Sequence, residues 1–89
     1  MSIIIKVNSQ TVNIEPLNGS VFSLDELQKA VGGYIQILSI TTGEYAGKLM
    51  VVDEEGLLKL NPVVNKTASL IAGQRIVGQV IIIDKDQIE

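Results

Sequence analysis

The side chains best suited to hold a ligand gather in one stretch, "LNPVVNKTASLIAG", Leu60 to Gly73. Asn61, Asn65, Lys66 and Thr67 bring amides, an ammonium and a hydroxyl close together, and Arg75 follows just beyond. Asn61 precedes Pro62 and is therefore held extended. Asn65 reads as the N-cap of a short helix over about Lys66 to Ala72, with Gly73 as its stop. A helix N-terminus exposes unpaired N–H groups and a partial positive charge, which suits an anion. Lys66 in the first turn opposes the helix dipole at a cost of order ~0.5 kcal/mol, which makes more sense if an anion sits there. The same residues also read plainly, with Asn65 as a cap, Thr67 filling a helical position and Lys66 in water. Taken alone they leave both readings open.

The remaining chemistry points away from catalysis. The chain has no histidine and no cysteine, so the usual general base, the thiolate and the commonest metal ligand are all missing. Ser23 has no histidine to activate it and is better explained as a helix cap. Asp53, Glu54 and Glu55 are consecutive acids in a turn, a pattern usually solvated. Asp84 and Asp86 lack the rest of a calcium loop. "VGGY" ends a helix, whereas a phosphate loop begins one. No cofactor is implied.

Length and composition set the frame. Eighty-nine residues make one domain, 1–89, with a thin stability margin. Hydrophobic residues are 46% of the chain and aromatics only 3%, so aliphatic side chains carry the core, and mean hydropathy is +0.34. So much apolar material in a short chain favours burial between subunits, and a homo-oligomer is expected. Net charge is −3 with no basic run, which argues against a nucleic-acid polymer as partner. No signal peptide and no membrane-length apolar run appear, so the expected location is the cytoplasm.

The elements that must position these side chains follow from pattern. "IIIKV" and "TVNIE" read as a hairpin across "NSQ", closed by Pro16. In "VFSLDELQKAVGG", Ser23 and Glu26 form a capping box, Phe22 and Leu27 a hydrophobic staple, and Gly32 a stop, giving a helix over about 24–31. "YIQILSIT" is a strand whose Ile35 and Ile37 point one way while Leu38 and Ile40 point the other. "KLMVV" pairs across a "DEEG" turn with "LLKL", with Gly56 placed for positive φ. "RIVGQVIII" is too apolar for an edge and belongs in the sheet centre or at a subunit contact, with Gly78 marking a bulge or close backbone approach. The predicted class is α+β: a curved, mainly antiparallel sheet of about six strands, in the order β-β-α-β-β-β-α-β, with two short helices on one side.

At "AVGGYIQIL", "MVVDEEGLLKLNPVVNKTASLIAG" and "RIVGQVIII" the chain resembles DUF3846, a phage- and prophage-associated family of small domains of unknown function. The family pattern falls on Val31 to Ile35, on Asp53 to Gly56, on Leu60 to Asn65 with Ala68, and on Ile76 to Ile83. It covers about two-thirds of the chain and leaves the N-terminal hairpin outside. The family's LPxN is "LNPVVN" here, so Asn61 and Asn65 compete for the matching position. The resemblance implies a phage-type, non-enzymatic protein in the host cytoplasm. By analogy with other small phage proteins, it implies a homo-oligomer that sequesters a small anionic ligand, a cyclic or ADP-ribose-type signal nucleotide, to counter host defence. Asn61, Asn65, Lys66, Thr67 and Arg75 would hold phosphates, with Tyr34 or Tyr45 against a base. The alternative is an adaptor or inhibitor that binds a host protein directly.

Overall fold

The computed structural model describes residues 2–56 and 62–88. Five strands form one open antiparallel sheet: β1 (Ile3–Ile5), β2 (Thr11–Asn13), β3 (Ile35–Ser39), β4 (Leu49–Asp53) and β5 (Val80–Ile83), in the order β2-β1-β5-β4-β3. Two helices, α1 (Leu24–Val31) and α2 (Lys66–Ala72), and a short 3-10 helix (Lys85–Gln87) complete the described chain. The class is α+β as expected, with five strands rather than about six. The sixth, placed on Leu57–Leu60, lies outside the described residues. Its intended partner β4 already has β3 on one side and β5 on the other from Leu49 to Val51.

The helices lie on opposite sides of the sheet, not on the one side expected from the short connections. Strand residues alternate between two separate clusters. Met50, Val52, Val80 and Ile82 pack with Ala68 of α2, while Val51, Ile81 and Ile83 pack with Leu27 and Val31 of α1. Successive strand residues point to opposite faces, so α1 and α2 cover opposite faces of the sheet. α1 carries the chain across one face, from edge strand β2 to edge strand β3; α2 covers the other, between the neighbours β4 and β5. This arrangement explains the unbroken apolar run at Val80–Ile83, where every residue is buried. A strand covered on both faces needs no polar alternation.

The run "RIVGQVIII" is nonetheless not one strand. Gly78 takes a φ of +77°, a left-handed conformation that costs glycine nothing, and β5 begins only at Val80. Before Gly78 the chain pairs instead with the approach to α2. Val77 bridges Val64, Asn65 N donates to Ile76 O at 2.8 Å, and Gly78 N donates to Val63 O at 2.9 Å. Gly56 also departs from expectation. It is not in the left-handed region; a Cβ there would stand 2.5 Å from Val77 Cγ2, so close approach, not turn geometry, requires glycine.

Both helices have the predicted bounds and caps. Ser23 Oγ accepts from Glu26 N at 3.2 Å, and Glu26 Oε2 accepts from Ser23 N at 2.7 Å. Glu26 Oε1 also accepts from Leu17 N at 2.7 Å, tying the incoming loop to α1. The Ser23 and Leu17 N–H groups together hold the Glu26 carboxyl below its ordinary pKa. A carboxylate whose pKa is depressed by folding contributes stability above its unfolded value and loses it as pH falls. Stability should therefore drop as pH falls below about 4.3, and Glu26→Gln should flatten that drop in urea melts at stepped pH. An unchanged slope would show that the carboxylate contributes nothing.

Asn65 is fully buried and uses both ends of its amide. Oδ1 accepts from Ala68 N at 3.0 Å, and Nδ2 donates to Ile5 O at 3.0 Å and Gly78 O at 2.9 Å. Asn65→Ala removes a cap and strips a donor from two backbone carbonyls. The expected loss is about 3 kcal/mol by urea denaturation, a large share of the roughly 5–10 kcal/mol available to a domain this size. A loss below about 1 kcal/mol would mean that water replaces the amide.

Candidate functional site

A cleft opens beside α2, at the end of the β1–β2 pair. Its volume is about 360 Å³, inside the usual range for small-molecule sites. Thr67, Leu70 and Ile71 contribute one face of α2, as their i, i+3, i+4 spacing dictates. Ile5 and Thr11, which pair across β1 and β2, contribute the sheet side. The loop after β3 supplies Thr42, Gly43, Glu44 and Tyr45. The cleft is therefore an apolar trough of Ile5, Leu70 and Ile71, rimmed by three threonine hydroxyls, a phenol and one carboxylate.

Two of its lining residues have further ties. Thr67 Oγ1 donates to Ser9 Oγ at 2.8 Å, which staples the β1–β2 turn to α2. Ser9 has a φ of +71°, the one non-glycine residue with positive φ among those described, so this turn is held in a conformation costing roughly 1–3 kcal/mol. On the other wall Tyr45 is half-buried against the α2-side core. Burial, then the neighbouring Glu44 carboxylate, raises the Tyr45 phenol above its ordinary value of 10.0.

The predicted phosphate corner does not assemble. Asn65 lies in the interior with its amide engaged, so it holds the fold and offers nothing to a guest. Thr67 and Tyr45 meet in the large cleft. Arg75 instead lines a smaller cleft of about 90 Å³ with Asp53, Glu54 and Gln74. Tyr34 is exposed at the start of β3, its carbonyl accepting from Glu54 N at 2.8 Å. Lys66 is exposed beside Thr67, and Asn61 lies outside the described residues. Among the described residues the one charged side chain lining this cleft is Glu44, so no described cation faces an anion there.

Thr11, Thr42, Glu44, Leu70 and Ile71 were not singled out from the sequence. The helical spacing of Thr67, Leu70 and Ile71 was a legible signal. The approach of residues 42–45 to α2 was not, since no local pattern encodes it. Among the described residues no group of three or more acids, histidines or cysteines could hold a metal. Asp84 is taken up by Lys48, which holds its carboxyl below the ordinary range.

A family model for a domain of unknown function, DUF3846, matches residues 1–89. The chain belongs to the DUF3846 family. The match takes in the N-terminal hairpin, which the motif resemblance left outside, so the β1–β2 side of the cleft is part of the family domain. No curated protein and no solved structure matches the chain. No helix among the described residues is long and apolar enough to cross a membrane.

The phenol gives a direct test of the cleft wall. In a Tyr34→Phe background, the remaining tyrosine should ionise above 10.0, followed by phenolate absorbance. Glu44→Gln should move it part of the way back. The sign follows from linkage: a raised folded pKa stabilises below the unfolded value and is lost as pH climbs through it. Ionisation at or below the ordinary value would show that Tyr45 is not withdrawn from water.

Proposed function

We propose that this DUF3846 domain is a non-catalytic binding protein that captures a nucleotide-type small molecule in the cleft between α2 and residues 42–45. The observation that carries the reading is the cleft itself: an apolar trough of about 360 Å³ with hydroxyls and a carboxylate at its rim. Such a lining suits a nucleoside. A planar base can lie in the trough against Tyr45, while ribose hydroxyls exchange hydrogen bonds with threonine hydroxyls and donate to Glu44. The lack of histidine and cysteine in the whole chain fits capture rather than turnover.

Phosphates do not belong inside this cleft, because Glu44 would repel them and no cation lines it among the described residues. They belong at the mouth, toward exposed Lys66, which precedes Thr67 on the first turn of α2. This replaces a corner built on Asn65 with one in which the nucleoside portion supplies the binding and the phosphate adds a weak, screened attraction. In a phage setting, such capture would withdraw a host signalling nucleotide without consuming it.

Calorimetry against paired nucleosides and nucleotides, cyclic and ADP-ribose types included, tests the reading. At least one pair should bind tighter than about 10 µM, roughly −7 kcal/mol. Thr42→Trp, which fills the cleft from an exposed loop, should abolish binding of both members. Lys66→Glu should weaken the nucleotide severalfold and leave the nucleoside unchanged. Absence of binding across the panel, or binding indifferent to Thr42→Trp, would overturn it.

A further inference from the structure

The outer edge of β3 has no strand beside it among the described residues, and its hydrogen-bonding parity can be read from its ends. Ile40 N donates to Lys48 O at 2.9 Å, and Glu54 N donates to Tyr34 O at 2.8 Å. Residues 34, 36, 38 and 40 therefore turn their backbone groups toward β4. In an antiparallel ladder the alternate residues turn theirs away, so Ile35, Ile37 and Ser39 present N–H and C=O groups outward.

Edge strands are normally blunted by brevity, charge, proline or a bulge. The opposite edge, β2, is three residues long and mostly polar. β3 is five residues, Ile-Gln-Ile-Leu-Ser, with no charge, no proline and no break in its pairing register. Beside it on the α1 face lies an apolar groove of about 140 Å³, lined in part by Leu24, Leu27, Ile35 and Ile37. Leu24 is 56% exposed and Ile37 42%, which is unusual for side chains flanking a core.

We propose that β3 pairs antiparallel with β3 of a second copy, about a two-fold axis through Ile37, joining two five-stranded sheets into one. The occupant follows from the register. Outward-facing groups meet outward-facing groups along the full strand only when Ile37 opposes Ile37 and Ile35 opposes Ser39. Each of these residues then both donates and accepts across the junction. A shift of two residues leaves one outward residue on each strand without a partner. Charge selects the same occupant. With a net charge of −3 per chain, two copies repel one another least where they meet through an uncharged surface, and β3 is uncharged along its length. A charged peptide would find nothing on this strand to choose it. On the α1 face the two Ile37 side chains meet across the axis and the exposed Leu24 of each copy flanks them, so one apolar patch is used twice, as an isologous interface requires. The proposal is independent of the ligand assigned to the cleft.

Sedimentation velocity at about 100 µM protein should show a species of twice the 9.6 kDa chain mass. Ile37→Lys sets two ammonium groups across the axis and should give the single-chain mass with unchanged circular dichroism. Val63→Lys, at an exposed apolar residue away from β3, should remain paired. Hydrogen exchange on the unmodified protein supplies a readout that needs no variant: the amides of Ile35, Ile37 and Ser39 should be protected at high concentration and exchange at least about tenfold faster on dilution below the dissociation constant. A single-chain mass for the unmodified protein, pairing that survives Ile37→Lys, or free exchange at Ile37 and Ser39 would overturn the proposal.

Discussion

One buried amide decides how this chain closes. Asn65 has no solvent exposure, and its three hydrogen bonds reach three different parts of the fold: the first turn of α2, the carbonyl of Ile5 in β1, and the carbonyl of Gly78 before β5. The Ile5 and Gly78 carbonyls could not both be met by a neighbouring strand, because Gly78 turns left-handed and β5 begins two residues later. An asparagine supplies two donors and an acceptor from one planar group, which is what this junction requires. Ser69 does comparable work one turn on, its hydroxyl accepting from Ile76 N at 2.8 Å and donating to Asn65 O at 2.8 Å. Among the described residues no buried side-chain nitrogen or oxygen is left without a partner.

The junction matters because the sheet is loaded on both faces. β5 lies between β1 and β4 and is buried throughout, and like β4 it feeds side chains into both aliphatic clusters. A domain of this length buries a modest share of its surface, and two half-size cores stabilise it only if helices on opposite faces are held in register with the same strands. Asn65 fixes α2 to that frame. On the other face Gln79 Nε2 donates to Ala30 O at 2.7 Å, fixing the end of α1 to the segment that enters β5. The two polar anchors flank Gly78, so the left-handed residue that interrupts the apolar run is also the point where both layers are secured.

This accounts for what was legible in the sequence. The helices were readable because caps are local: Ser23 with Glu26, and Asn65 with Gly73, are signals within a few residues of what they control. The central place of Val80–Ile83 was readable because a strand buried on both faces has no polar alternation. The side of the sheet taken by each helix was not readable, since Leu27 and Ala68 are equally apolar and only the alternation of their distant partners, Val51 against Met50, separates them. The candidate site divided the same way. Thr67, expected to hold phosphate, and Tyr45, expected against a base, do share a cleft. The wall that completes the cleft, residues 42–45, is brought to α2 by the β3–β4 connection and carries no motif. Asn65 is the cap that the sequence indicates, but its burial was not legible, because an N-cap that also bonds two remote carbonyls looks, in a linear chain, the same as one that faces solvent.

The distribution of polar groups also explains why a binding site here must be built from ordinary residues. In a chain this short, the conspicuous polar side chains are needed to satisfy the backbone at its junctions: Asn65 and Ser69 around α2, Gln79 under α1, Ser2 donating to Ile14 O at 2.8 Å. A buried polar group already paired cannot be turned toward a guest without leaving its carbonyls unmet, at a cost of about 1–3 kcal/mol for each. In the proposed site, ligand contacts would therefore fall to side chains that the fold can spare, the threonines and the carboxylate of the cleft. Thr67 stands at the boundary between the two sets. Its hydroxyl holds Ser9 and the residue lines the trough, so a guest that competes for that hydroxyl would loosen the β1–β2 turn, where Ser9 is already held in an unfavourable backbone conformation. Occupancy of the proposed site would thereby be coupled to the conformation of that turn through a single exposed hydrogen bond.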